Sequence, residues 1–146
     1  MKFSVKNIDM NALKTWVKSI SYNENTDLWT AYIHRDCIFQ SPDYDALIVI
    51  IVGHVAKEIA LLVSEALEVK DILNSKGRYQ LYSDSRAVTA YILLKKFKLS
   101  TIMIAEIFSF WNKHTTALSA IKKVDNVAEI QEKYQKVIRM FTFLKS

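Results

Sequence analysis

Leu99-Ser-Thr-Ile-Met-Ile-Ala-Glu-Ile-Phe-Ser-Phe-Trp-Asn-Lys-His-Thr-Thr-Ala-Leu-Ser-Ala-Ile-Lys-Lys-Val124 is the stretch from which the fold is read. Ser100 can cap a short helix that ends near Phe108. Ser109 to Lys113 is polar enough for a turn, apart from the aromatics Phe110 and Trp111. A second helix then opens at Lys113, His114, Thr115 and Thr116. Helical spacing turns Ala117, Ala120, Ile121 and Val124 inward and leaves Thr115, Ser119 and Lys122 on an outward stripe. Small hydroxyls and cations at a helix start suit a major-groove reader. The helix N-terminus attracts phosphate, and short side chains let the backbone approach base edges.

The flanks extend this helical reading. Upstream, Ser83 or Asp84 can cap a helix running to about Lys98, with Tyr79 to Asp84 as its connector. Downstream, Val127, Ile130, Tyr134, Val137, Phe141 and Leu144 repeat at alternating steps of three and four, a short coiled-coil-like seam. It can pack on its own domain or on a second copy.

The C-terminal segment resembles the DNA-binding domain of the bacterial replication initiator DnaA family over roughly residues 84 to 142. In that family a helix ending Ile-Gly-x-x-Phe is followed by a turn and by Arg-Asp-His-Thr-Thr at the head of the recognition helix. Ile104, Ala105 and Phe108 stand where the first pattern falls, and Asn112, Lys113, His114, Thr115 and Thr116 where the second falls. Ala90-Tyr-Ile-Leu-Leu-Lys-Lys-Phe97 is similar to the family's Ala-Met-Tyr-Leu-Leu-Arg-x-Leu helix. Ala120-Ile-Lys-Lys-Val124 is similar to its Ala-x-Arg-Lys-Ile.

The resemblance implies a helix-turn-helix that binds double-stranded DNA, as a regulator of replication or transcription. Lys113, His114, Thr115, Thr116 and Ser119 would face the major groove, with Asn112 at the turn. Lys122, Lys123, Lys95, Ser100 and Thr101 would serve phosphates, and Arg86 would stand loosely for the family's minor-groove cation. Two departures stand out. Asn112-Lys113 replaces Arg-Asp, and lysine cannot accept the hydrogen bond an acidic side chain takes from a base. One extra residue also separates Phe108 from His114. The alternative is a helical protein-interaction module that keeps the fold without binding DNA.

Charge follows the same division. The net charge is +5. Residues 1–80 hold nine Lys/Arg against ten Asp/Glu, and residues 81–146 hold eleven against five. The positive balance therefore lies entirely in the second part, as a polyanion partner requires.

For residues 1–77 an all-α reading is extended. Asp9 can cap a helix to about Ile20, with Leu13, Trp16, Val17 and Ile20 on one face. Thr26 or Asp27 can start another through Leu28, Trp29, Tyr32 and Ile33. Cys37-Ile38-Phe39 fits helix or strand equally. Ser41-Pro42-Asp43 reads as a helix start, with Ser41 as cap and Pro42 in the first turn. From there to about Leu67 the chain is apolar on most sides, with Gly53 at a kink or close contact. Two glycines and one proline in 146 residues argue against a turn-rich β fold. Asn74-Ser-Lys-Gly77 marks the expected boundary between a partner-binding or dimerisation region, 1–77, and the DNA-binding domain, 78–146.

Other classes find little support. With two isolated glycines no G-x-x-x-x-G-K-[ST] loop exists, so the family's nucleotide-binding region has no counterpart. His34-Arg-Asp36 spells part of a kinase signature without its companions. The single Cys37 excludes an intrachain disulfide, and His34, His54 and His114 lack metal-ligand spacing. No catalytic residue, metal or cofactor is expected. Lys57 and Glu58 interrupt the apolar run before it reaches membrane length, and the first twenty residues lack a signal-peptide core. The expectation is a cytoplasmic protein without a membrane partner, dimeric or bound to another protein through residues 1–77 or the 127–144 seam.

Overall fold

The computed structural model of the chain describes residues 7–34, 37–68, 80–108, 114–126, 132 and 134–139, with the backbone alone at 80–82, 114–116 and 125–126. The order is α1 (Met10–Lys14), β1 (Ser19–Asn23), β2 (Leu28–His34), β3 (Cys37–Ser41), α2 (Tyr44–Ala66), α3 (Gln80–Phe97), α4 (Thr101–Ile107) and α5 (His114–Asn126). Residues 134–139 are also helical. The all-α expectation is therefore wrong: the fold is mixed, with an antiparallel sheet in the order β1-β2-β3.

The sheet forms where two amphipathic helices were expected. Asp9 does cap a helix, accepting from Ala12 N at 3.1 Å. That helix stops at Lys14, where the Thr15 hydroxyl donates back to the Ala12 carbonyl at 2.7 Å. Beyond it, Ile20, Tyr22, Trp29, Thr30, Tyr32 and Ile33 are the branched and aromatic types that suit a pleated surface. Their apolar spacing satisfies a helix and a strand about equally over so short a run. The scarcity of glycine was misleading, because Asp27 supplies the left-handed turn residue at φ 55°. Its amide donates to the Asn23 carbonyl at 2.8 Å, its carboxylate accepts from the Tyr22 hydroxyl, and Asn23 Oδ1 accepts from Asn25 N at 2.9 Å. Asparagine and aspartate thus close the β1–β2 hairpin. Cys37-Ile38-Phe39, open between helix and strand, is strand.

α2 is the buried central helix the apolar run predicts. Its cap is Asp43, whose carboxylate accepts from Ala46 N at 3.1 Å, while Ser41 ends β3 and its Oγ accepts from Asp43 N. Gly53 lies within the unbroken helix, and a Cβ there would meet nothing within 4 Å, so no close contact requires it. By length and composition α2 could cross a membrane, but half of its most apolar window is buried inside the fold. Leu47, Ile48, Ile51, Val55 and Ile59 are fully buried among residues of the sheet and of α3.

The C-terminal helices follow their expected pattern more closely. α3 begins at Gln80, earlier than the expected cap at Ser83 or Asp84, so Asp84 lies inside the helix. Ser100 caps α4, its Oγ accepting from Met103 N at 3.2 Å, and Phe108 ends it. α5 begins at His114. One hydrophobic cluster runs from Ile8 through α2 and α3 to Val137, and Asp9 N donates to the Phe97 carbonyl at 2.8 Å. Residues of both expected regions therefore share a core, and the expected boundary at Asn74 to Gly77 lies outside the described residues. In the seam, Tyr134 and Val137 are buried within the chain itself; Val127, Ile130, Phe141 and Leu144 lie outside the described residues.

Candidate nucleic-acid interface

α5 is held from two sides, against α3 and against α4. Ala117, Ile121 and Val124 are buried with Met103, Ile104 and Phe108 of the α4 segment and Ile92, Leu93 and Phe97 of α3. These positions recur at helical spacing, so burying them fixes the rotation of α5 about its axis. The opposite face then points to solvent, and Ser119 and Lys122 are exposed on it. The inward and outward positions predicted from the spacing are thus the observed ones wherever side chains are described.

A buried polar contact pins this packing. Asp84 of α3 is 3% exposed; its Oδ1 accepts from Lys123 Nζ at 3.0 Å and its Oδ2 from the Tyr134 hydroxyl at 2.9 Å. The pair ties α3 to α5 and to the helical segment at 134–139. Burial, followed by the hydrogen bond to Asp84, holds the Tyr134 hydroxyl well above its ordinary pKa, so it stays protonated as a donor. Lys123 had been expected on phosphate; its ammonium instead sits on Asp84, leaving Lys122 as the exposed member of the pair.

The remaining expected contacts are placed as follows. Lys95 is exposed, with Nζ 5.6 Å from the Tyr91 ring centroid. Ser100 is exposed, and its oxygen already serves the α4 amide while its proton stays available. Thr101 and Arg86 are half-buried. His114, Thr115 and Thr116 form the first turn of α5, which places their backbone at the helix N-terminus. Asn112, Lys113 and Trp111 lie outside the described residues.

Two features of the N-terminal part escaped the sequence reading. A cleft of about 620 Å³ is lined by Lys14, Val17, Lys18, Ser19, Ile20, Trp29 and Tyr44. On the other flank, donor atoms of His34, Cys37 and His54 lie within 4.8 Å of one another. The signal for the second is His34-x-x-Cys37, which joins His54 only when 28–41 is taken as a hairpin facing a helix. No family model, curated protein or solved structure matches the chain.

Proposed function

We propose that α3, α4 and α5 act as a helix-turn-helix that binds double-stranded DNA, with α5 as the recognition helix in the manner of the DnaA C-terminal domain. The supporting observation is the bracing of α5 on both α3 and α4, with Ser119 and Lys122 turned out to solvent. The excess of eleven Lys/Arg over five Asp/Glu in residues 81–146 supplies the electrostatic attraction. The α5 amino terminus adds partial positive charge where a phosphate would approach.

In this reading Lys113, His114, Thr115, Thr116 and Ser119 face the major groove. Lys122, Lys95, Ser100 and Thr101 hold the backbone of the duplex, and Arg86 reaches toward the minor groove. Lys123 orients α5 through Asp84 and contributes indirectly. Phosphate contacts give affinity, and first-turn residues give selectivity. A lysine at 113 implies a different base preference from that of the family. A second copy supplies the second half-site, as single helix-turn-helix units commonly require. The process served is replication or transcription control in the cytoplasm.

The second reading, a protein-interaction module that keeps the fold, is favoured by the diversion of Lys123 to Asp84. Binding of the purified protein to a mixed-sequence duplex across salt concentrations separates the two. DNA binding gives a log–log slope of roughly −0.9 for each phosphate neutralised. Lys122→Glu should weaken binding to all sequences, and Lys113→Glu with His114→Ala should abolish it while circular dichroism stays unchanged. Absence of binding at low salt by the folded protein would leave the interaction module.

A further inference from the structure

A β-bulge turns the end of β2 toward α2. Tyr32 pairs with Ile38, but His34 pairs with Cys37, so two steps along β2 match one step along β3. Residues directly opposed in an antiparallel pair share a face. Ala31 opposes Phe39, which puts Cys37 on the Phe39 face and His34 there with it. Strict alternation from Ala31 would have put His34 on the other side; the bulge re-aims it. That face is the one covered by α2, where the Phe39 ring meets the His54 ring edge-on at 5.4 Å.

The side chains converge. Cys37 Sγ lies 4.0 Å from His54 Nε2, and the donor atoms of His34, Cys37 and His54 all fall within 4.8 Å of one another. Glu58, one helical turn beyond His54, places Oε1 3.8 Å from the same Nε2. Around a tetrahedral zinc ion with ordinary bond lengths, neighbouring donor atoms stand about 3.3–3.6 Å apart. Cys37 and His54, 4.0 Å apart, therefore need to close by about 0.4 Å, and the widest pair of the three, within 4.8 Å, by up to about 1.5 Å, which side-chain rotations supply. At 4.0 Å the Cys37–His54 contact is at the long limit of a sulfur hydrogen bond, and it does not account for the approach of His34.

We propose that His34, Cys37 and His54 bind a divalent transition metal of the zinc class as a three-ligand site with an open fourth position. A thiolate with two imidazoles selects zinc-like ions over magnesium and calcium, which take oxygen ligands. Binding forms a metal–sulfur bond and releases the Cys37 thiol proton to solvent. The half-exposed position of the cluster gives the ion an entry path: His34 is exposed and Cys37 and His54 are half-buried. The bound ion clamps the β2–β3 hairpin onto α2. The site is independent of the DNA-binding reading.

The test is titration of the metal-stripped full chain with Co²⁺ and then Zn²⁺. The expected result is one equivalent bound, a thiolate-to-cobalt charge-transfer band, and loss of that band as zinc displaces cobalt. Cys37→Ser should remove the band and weaken zinc binding more than roughly tenfold. His34→Ala, at an exposed position tolerant of change, should weaken zinc by a similar factor with the band retained. Absence of a one-to-one complex, or zinc affinity unchanged in either Cys37→Ser or His34→Ala, would overturn the site.

Discussion

The sheet with α2 and the helices α3 to α5 bury their apolar surface in different ways. α2 is apolar on most sides, covered by the sheet and α3, and keeps Ile50, Leu61 and Leu62 at the surface. Its hydrogen bonds include local ones, a capping aspartate and a serine hydroxyl returned to its own helix, Ser64 to the Ala60 carbonyl at 2.8 Å. α5 has a sharply divided face, and the region around it is joined by long-range polar bonds from Asp84 across 39 and 50 residues of sequence. The first region gains its shape from apolar layering, which tolerates exchange of similar side chains. The second adds a buried ion pair whose loss of one partner is costly. A surface that must present fixed side chains to a ligand benefits from the second arrangement, because α5 cannot rotate without breaking the Lys123 contact.

The largest expected effect tests whether the two regions are thermodynamically separate. Phe97 is 1% exposed, belongs to the shared cluster, and its carbonyl accepts from Asp9 N. Phe97→Ala should lower stability by about 3–5 kcal/mol. Because the core is continuous, tryptophan fluorescence of a Trp111→Phe background, which leaves Trp16 and Trp29, and far-ultraviolet circular dichroism should report one coincident transition in urea. A displaced fluorescence transition would split the molecule into two folding units.

Asp84→Ala comes next. It leaves Lys123 and Tyr134 without a shared acceptor in a mostly buried position. Lys123 retains some solvent access, its side chain being 33% exposed, so the expected loss is about 2–4 kcal/mol, below that of a fully buried pair. If Lys123 orients α5, DNA affinity in this variant should fall even where circular dichroism shows it folded. Unchanged affinity would make the contact purely structural.

Tyr134→Phe probes the same junction with a pH signature. Removing a hydrogen bond to a charged acceptor should cost about 1.5–3 kcal/mol at neutral pH. The folded-state pKa of Tyr134 is raised above the ordinary 10.0. Its contribution is therefore fully present below pH 10 and is lost as pH rises through the higher folded value. The stability gap between wild type and Tyr134→Phe should hold steady through neutral pH and narrow only in strong alkali. A gap that closes below pH 9 would show that the hydroxyl is not held by Asp84.

The two regions also differed in how far they could be read from residues. α4 was legible because its boundaries are local: Ser100 three residues before Met103, a buried pair at 103 and 104, and Phe108 at the end. The inward set of α5 was legible for the same reason. In the sheet, Leu28 to Ile33 is six residues, too short for period to separate helix from strand, and the turn signal sits on Asp27 and Asn23 where glycine was sought. Missing the hairpin hid the His34, Cys37 and His54 cluster, since His54 lies 17 residues beyond Cys37 and meets the other two only across β2, β3 and α2. The Asp84 contact was invisible for a related reason: an aspartate near a helix start reads as a cap, and its true partners lie 39 and 50 residues away.

The smallest expected effect concerns the junction of α3 and α4. Lys98 adopts φ 60°, and its amide donates to the Leu94 carbonyl while Leu99 N donates to the Leu93 carbonyl. A side chain in the left-handed region costs roughly 1–2 kcal/mol, part of which glycine recovers before its greater freedom in the unfolded chain is counted. Lys98→Gly should therefore raise stability by about 0.5 kcal/mol, seen as a higher urea midpoint at unchanged slope. The same variant removes one exposed charge beside α4. If Lys98 also touches phosphate, the salt slope of DNA binding should shrink by about 0.9 while the protein becomes more stable. An unchanged slope would confine Lys98 to ending α3.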